Sequence, residues 1–221
     1  MNLIRLIRLT TAMLCLVAIG GTAIAGDSST LLLSGGVTRP LSPELGYDDQ
    51  FDGGLHLGVH YRRALGTNVH IVGEVGYSQT NNGAPAIAFP LICCFDVRNL
   101  DGGDLDSYRF SAGIAVGTAR DGVNVFAKVL AGVYGLSVGD VTYEMRLVGE
   151  EWRTISVDAG DFGSDTRFGL NLGAWLEVPV SASTLIFAGT DLDLVSSPEV
   201  FLLQNERLTD LTARGGVGFR F

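Results

Sequence analysis

Three histidines, His56, His60 and His70, stand on two neighbouring segments in which apolar and polar residues alternate, and Glu74 shares the phase of His70. Three imidazoles and a carboxylate are competent ligands for zinc or a similar ion. If the turn between the segments pairs residues whose numbers sum to 130, His60 faces His70 and His56 faces Glu74. A slip of one residue would break the alternation, whereas a slip of two would keep the face and change the partners. Imidazole beside carboxylate is equally sensible without a metal, as polar filling of a low-dielectric interior. These four residues are therefore metal candidates only, and no cofactor is expected.

Other groups point to chemistry more faintly. Asp101, Asp104 and Asp106, with Gly102 and Gly103 between them, could offer oxygens to Ca²⁺, but the spacing matches no EF-hand. A solvated acidic loop over 96–106 is the plainer expectation. Just upstream, the apolar run 84–95 contains Pro85 and Pro90, which bar a long helix. It reads as a cover over a mouth or as a partner patch, with Phe89 and Phe95 as candidate loop contacts. Cys93 and Cys94 are adjacent, too close for an unstrained disulfide. A strained bridge, two free thiols and a link to another chain all stay open. No nucleophile stands beside a base and an orienting acid in any recognisable motif, so an enzyme is not expected.

The elements that hold these residues are strands. Period-two alternation marks eight, roughly 29–38, 52–62, 69–79, 107–118, 124–138, 165–178, 184–195 and 207–221. One face of each is free of charge, for example Leu55, Leu57, Val59 and Tyr61, or Phe168, Leu170, Leu172, Ala174, Leu176 and Val178; on the seventh the apolar set is Ile186, Ala188, Leu192 and Leu194. The other faces mix glycine with His56, His60, Arg62, His70, Glu74, Arg109, Lys128, Arg167, Glu177, Asp191, Asp193, Asp210, Arg214 and Arg220. Charges avoid a lipid-facing position because each costs about 2–4 kcal/mol at mid-membrane. Connections alternate between short (63–68, 119–123, 179–183) and long (39–51, 80–106, 139–164, 196–206). Segment 139–164 reads as a hairpin above the membrane, since Glu150, Glu151, Arg153 and Asp158 make its second arm a poor spanning strand; two further membrane strands, giving ten, are the alternative.

The N-terminus has Arg5 and Arg8, then an apolar run, then Ala23-Ile24-Ala25. That is the layout of a signal peptide over 1–25, cut after Ala25. Its removal leaves residues 26–221 as one domain with a net charge near −11, which argues against nucleic acid.

The chain ends in Val217-Gly-Phe-Arg-Phe221, and this ending, the leader and the alternating loop lengths make 26–221 resemble small bacterial outer-membrane β-barrels. That group includes the OmpA membrane domain, OmpX, OmpW and the opacity-type, porin-like proteins. The resemblance implies an eight-stranded antiparallel up-and-down transmembrane β-barrel with long extracellular loops, in the outer membrane of a Gram-negative bacterium. It implies an assembly signal at Val217, Phe219 and Phe221, read by the barrel assembly machinery, and lipopolysaccharide among the surrounding lipids. The expected function is non-enzymatic: envelope structure and binding of an external protein or surface ligand through the loops. A narrow OmpW-like channel for small or hydrophobic solutes is the alternative, and a lipid-modifying enzyme the remotest reading.

Overall fold

The computed structural model describes residues 29–41, 51–82, 95–118, 122–147, 150–158, 164–196 and 207–221. Residues 1–25, expected to be a signal peptide, and Phe89, Cys93 and Cys94 lie outside the described residues. Among the described residues there are eleven strands: β1 (Ser29–Pro40), β2 (Phe51–Ala64), β3 (Val69–Asn82), β4 (Phe95–Gly102), β5 (Leu105–Gly117), β6 (Asn124–Val138), β7 (Val141–Leu147), β8 (Arg153–Val157), β9 (Ser164–Pro179), β10 (Thr184–Val195) and β11 (Leu208–Arg220).

Eight of them close into a barrel in the order β1-β11-β10-β9-β6-β5-β3-β2, each pair antiparallel. Closure leaves no edge within the barrel, so each backbone ladder is paired on both sides. The pleat then sorts side chains by parity. Outward positions such as Val37, Leu55, Phe110, Val129, Leu170 and Ile186 are exposed apolar groups, and Phe168 is 77% exposed. A soluble protein does not expose apolar surface continuously around its girth, so the pattern is that of a wall facing lipid. Val59 shares the outward phase but is covered by its neighbours.

Both described termini and the short turns Leu65–Asn68 and Val180–Ser183 lie at one end, here the turn end. At the other, the loop end, β4, β7 and β8 form a separate three-stranded sheet. Gly103 N–H donates to Asp140 O and Gly139 N–H to Asp104 O, both at 2.8 Å, so β4 and β7 prolong the β5–β6 ladder beyond the barrel. Gly102 and Gly103 take φ of 82° and 76° there, a left-handed bend that side chains resist.

Segment 139–164 contributes the expected hairpin, β7–β8, and no spanning strand among its described residues, so the barrel has eight strands and the ten-strand alternative falls. Two expectations need correction. Residues 96–102 are strand rather than loop, because β7 supplies β4 with a ladder. The β2–β3 pairing sums to 134, not 130: β2 runs to Ala64 and the tight turn carries Leu65–Asn68, so His60 faces Glu74 and His56 faces Ser78.

Candidate functional site

The inward faces meet in layers. Near mid-barrel, Glu74, Asp191 and Asp193 interlock with Arg109, Lys128 and Arg214, all buried. Arg109 Nη1 donates to both oxygens of Asp193 at 2.6 and 2.5 Å. Tyr134 OH and Asn171 Nδ2 add bonds of 2.6 and 2.9 Å to the same carboxylate. Arg214 Nε lies 2.7 Å from Asp191 Oδ2 and Lys128 Nζ 3.1 Å from its Oδ1. Glu74 takes Arg109 on one oxygen and Lys128 on the other. Three carboxylates thus meet three cations. Buried charge is tolerable only when so paired and hydrogen-bonded.

His60 joins this layer as a bridge. Its Nδ1 is 2.6 Å from Glu74 Oε2, while its Nε2 faces Arg214 Nη1. With the proton on Nδ1, a neutral ring donates to Glu74 and accepts from Arg214. His56 Nδ1 instead bonds Ser78 Oγ at 2.9 Å, and its Nε2 has no partner among the described residues. His70 sits nearer the turn end, edge-on to Phe126 with ring centroids 5.3 Å apart.

Of the four metal candidates, then, the fold joins only His60 and Glu74, and cations already hold both. Among the described residues no three His, Cys, Asp or Glu side chains converge to hold a metal ion. A further divalent cation would unbalance a layer that is already neutral. Ser78 and His56 form a hydroxyl–imidazole pair, but no described carboxylate orients the second ring nitrogen as a catalytic triad requires.

Below the charged layer the interior is apolar. Leu32, Val72, Ala115, Phe126, Leu130, Trp175, Leu185 and Phe187 pack as one cluster. Phe126 stacks on Trp175 at 5.0 Å, and the Arg62 guanidinium lies 4.0 Å from the Phe126 ring centroid. Arg62 forks onto Glu177 with bonds of 2.5 and 3.0 Å, and Trp175 Nε1 donates to the same carboxylate at 2.8 Å. A second apolar cluster, Leu105, Tyr134, Leu136, Val138, Val195 and Leu208, fills the loop end. Between them, beside His56, Ser78, Arg109 and Asp193, remains a cavity about the size of one water. Sequence reasoning missed both apolar layers; the signal was inward parity, in Phe126, Leu130, Trp175 and Phe187 for the first and in Tyr134, Leu136 and Val138 for the second.

Outside the barrel, Thr142 and Ser156 hydroxyls approach to 3.4 Å across β7–β8, and the Arg146 guanidinium stacks over Trp152 at 4.5 Å. β8 pairs with β7 alone among the described strands. Its residues Arg153, Thr154 and Ser156 are exposed, as are Glu150, Glu151 and Asp158 flanking it. Phe95, a candidate contact, is paired through its backbone with Leu147. At the loop end Asp104 accepts from Gln79 Nε2 at 3.1 Å, and the buried Asp106 accepts from Tyr77 OH at 2.6 Å. Val217, Phe219 and Phe221 all point outward and are exposed.

No protein-family model matches the chain, and no curated protein does. Among solved structures, neisserial surface protein A is similar at 14% identity over 89% of this chain and 99% of that one, with a TM-score of 0.52. The attachment invasion locus protein Ail of Yersinia pestis, in complex with the heparin analogue sucrose octasulfate, aligns at 17% identity over 90% of this chain and 100% of that one, with a TM-score of 0.45. The chain has the fold of the small outer-membrane β-barrel proteins: a closed, all-antiparallel barrel of eight strands.

Proposed function

We propose that this chain is a non-enzymatic outer-membrane protein that binds an external protein or surface ligand through the sheet β4-β7-β8, held above the membrane by a closed barrel. One observation carries this reading: the interior is packed with buried side chains whose carboxylates and cations pair with one another, whereas the loop end raises a strand, β8, that among the described strands pairs on one side only. A filled lumen favours a support over a passage. An open strand edge is a ready template for an added strand, and proteins that do not use such edges usually blunt them. The β4–β7 ladder carries a register shift between Arg98 and Asp101, but the β7–β8 ladder is regular.

In this reading residues 1–25 are a cleaved leader, and Val217, Phe219 and Phe221 form the outward apolar ladder offered to the assembly machinery. Lipopolysaccharide packs against the outer half of the belt. The test is made on intact cells. An epitope placed in the turn between β7 and β8 should be labelled from outside, and deleting residues 142–156 should abolish binding of the cells to a host surface while the barrel still migrates as a heat-modifiable band. An epitope reached only after the cells are broken would overturn the assignment.

A further inference from the structure

The sheet above the barrel has two unlike faces. The register of β7 with β8 sets Tyr143 opposite Ile155 and Val141 opposite Val157, and the pleat puts these four on one face. The other face carries Thr142 opposite Ser156 and Glu144 opposite Thr154. On the apolar face Val141 is buried, while Ile155 and Val157, in the last row, are only half-buried, since β8 is paired on one side only among the described strands. Acidic groups bracket that row. Glu150 and Glu151 precede β8 and Asp158 follows it, all exposed, and none makes an ion pair among the described residues. Arg153 is the one cation on the strand itself, so the edge is acidic at both ends.

We infer that the partner of this edge is an extended protein segment, apolar at alternate positions and basic at both ends, added as a strand beside β8. The inference rests on the binding role proposed above for the sheet and names the chemistry of its partner. An open ladder takes backbone bonds from any extended chain, so the ladder gives affinity and the side chains give the choice. In an added strand, successive residues stand on opposite faces, directly beside those of β8. Apolar residues beside Ile155 and Val157 extend the apolar face by one row and take both side chains out of water. Hydroxyl-bearing residues fit beside Thr154 and Ser156. Because carboxylates lie beyond both ends of β8, Lys or Arg at both ends of the segment is attracted whichever way it runs. β8 has five residues and spans about 17 Å, so the paired core of the segment is equally short. A sulfated polysaccharide fits neither feature: it has no amide ladder, and these carboxylates repel it.

The test uses the chain without residues 1–25 in lipid nanodiscs, with labelled synthetic peptides as probes. In the first peptide valine and threonine alternate between pairs of lysines; the second has the same composition with its valines adjacent; the third carries glutamates in place of the lysines. The first should bind roughly tenfold more tightly than either of the others, and more weakly as salt rises. Glu150→Lys, Glu151→Lys and Asp158→Lys together should reverse the choice between lysine-ended and glutamate-ended peptides. Ile155→Thr should narrow the gap between the alternating and the shuffled sequence. Heat-modifiable migration, read on every sample, shows that the barrel is intact. Equal binding of all three peptides, a preference that the charge reversal leaves unmoved, or binding of a sulfated polysaccharide in place of the peptides overturns the inference. If deleting residues 142–156 abolishes attachment of cells to a host surface and the peptides still fail to bind, the partner named here falls alone. If attachment survives the deletion, the binding role of the sheet falls with it.

Discussion

The barrel interior and the sheet above it are built from the same strands and treat polarity in opposite ways. β5 and β6 pass from one region to the other through Gly103 and Gly139. Inside, each of these buried carboxylates meets a cation: in the charged layer Asp193 takes Arg109, with Tyr134 and Asn171 adding hydrogen bonds, and below it Glu177 takes Arg62 and a bond from Trp175. Above, Arg153 and Glu151 lie exposed, and among the described strands β8 is paired on one side only. The lesson is that closure and presentation are separable. A barrel that satisfies itself internally can carry an incompletely satisfied sheet without losing its own fold.

Substitutions can test that separation, the largest effect first. Glu177→Leu strands the Arg62 guanidinium in a buried site and should lower stability by about 3–5 kcal/mol in lipid-based urea unfolding, whereas the double change Arg62→Leu with Glu177→Leu should recover most of the loss. A single variant that unfolds like wild type would show that the pair is solvated. Val129→Arg, on the outward belt, should cost about 2–4 kcal/mol in the same assay, since it sets a charge in the hydrocarbon. An unchanged midpoint would mean that this wall faces water. Trp152→Ala removes the stack under Arg146 and should cost the outer sheet about 0.5–1 kcal/mol, seen as faster amide exchange in β7 and β8 with the barrel strands unaffected. Smallest of all, Ile155→Pro and Ser156→Pro should leave the barrel midpoint unchanged within about 0.5 kcal/mol. The variant whose N–H points away from β7 should still lose partner binding, because proline removes the donor an added strand needs.

Much of the barrel was legible because period-two alternation is strong wherever the two faces meet different surroundings. The run Phe168, Leu170, Leu172, Ala174, Leu176, Val178 fixes β9 without any other information. Strand β4 was hidden, since Asp96-Val-Arg-Asn-Leu-Asp101 looks like a solvated loop and becomes a strand only through its distant partner β7. The register of β2 with β3 was out of reach for a related reason. Both registers keep every histidine inward, so only the turn geometry at Leu65–Asn68 separates them. The candidate ligands His56, His60, His70 and Glu74 were chosen correctly as inward residues, but their grouping depended on that register.

The central claim is that the lumen is filled and charge-balanced while the work is done outside. Single-channel recording of the refolded chain in a planar bilayer tests it most directly. The expected trace is silent, with no steady steps across a range of salt and voltage, from protein that shows the heat-modifiable shift. Steady, reproducible steps that change when Glu74 or Arg109 is replaced would contradict it, and would make the interior layer a gate rather than a seal.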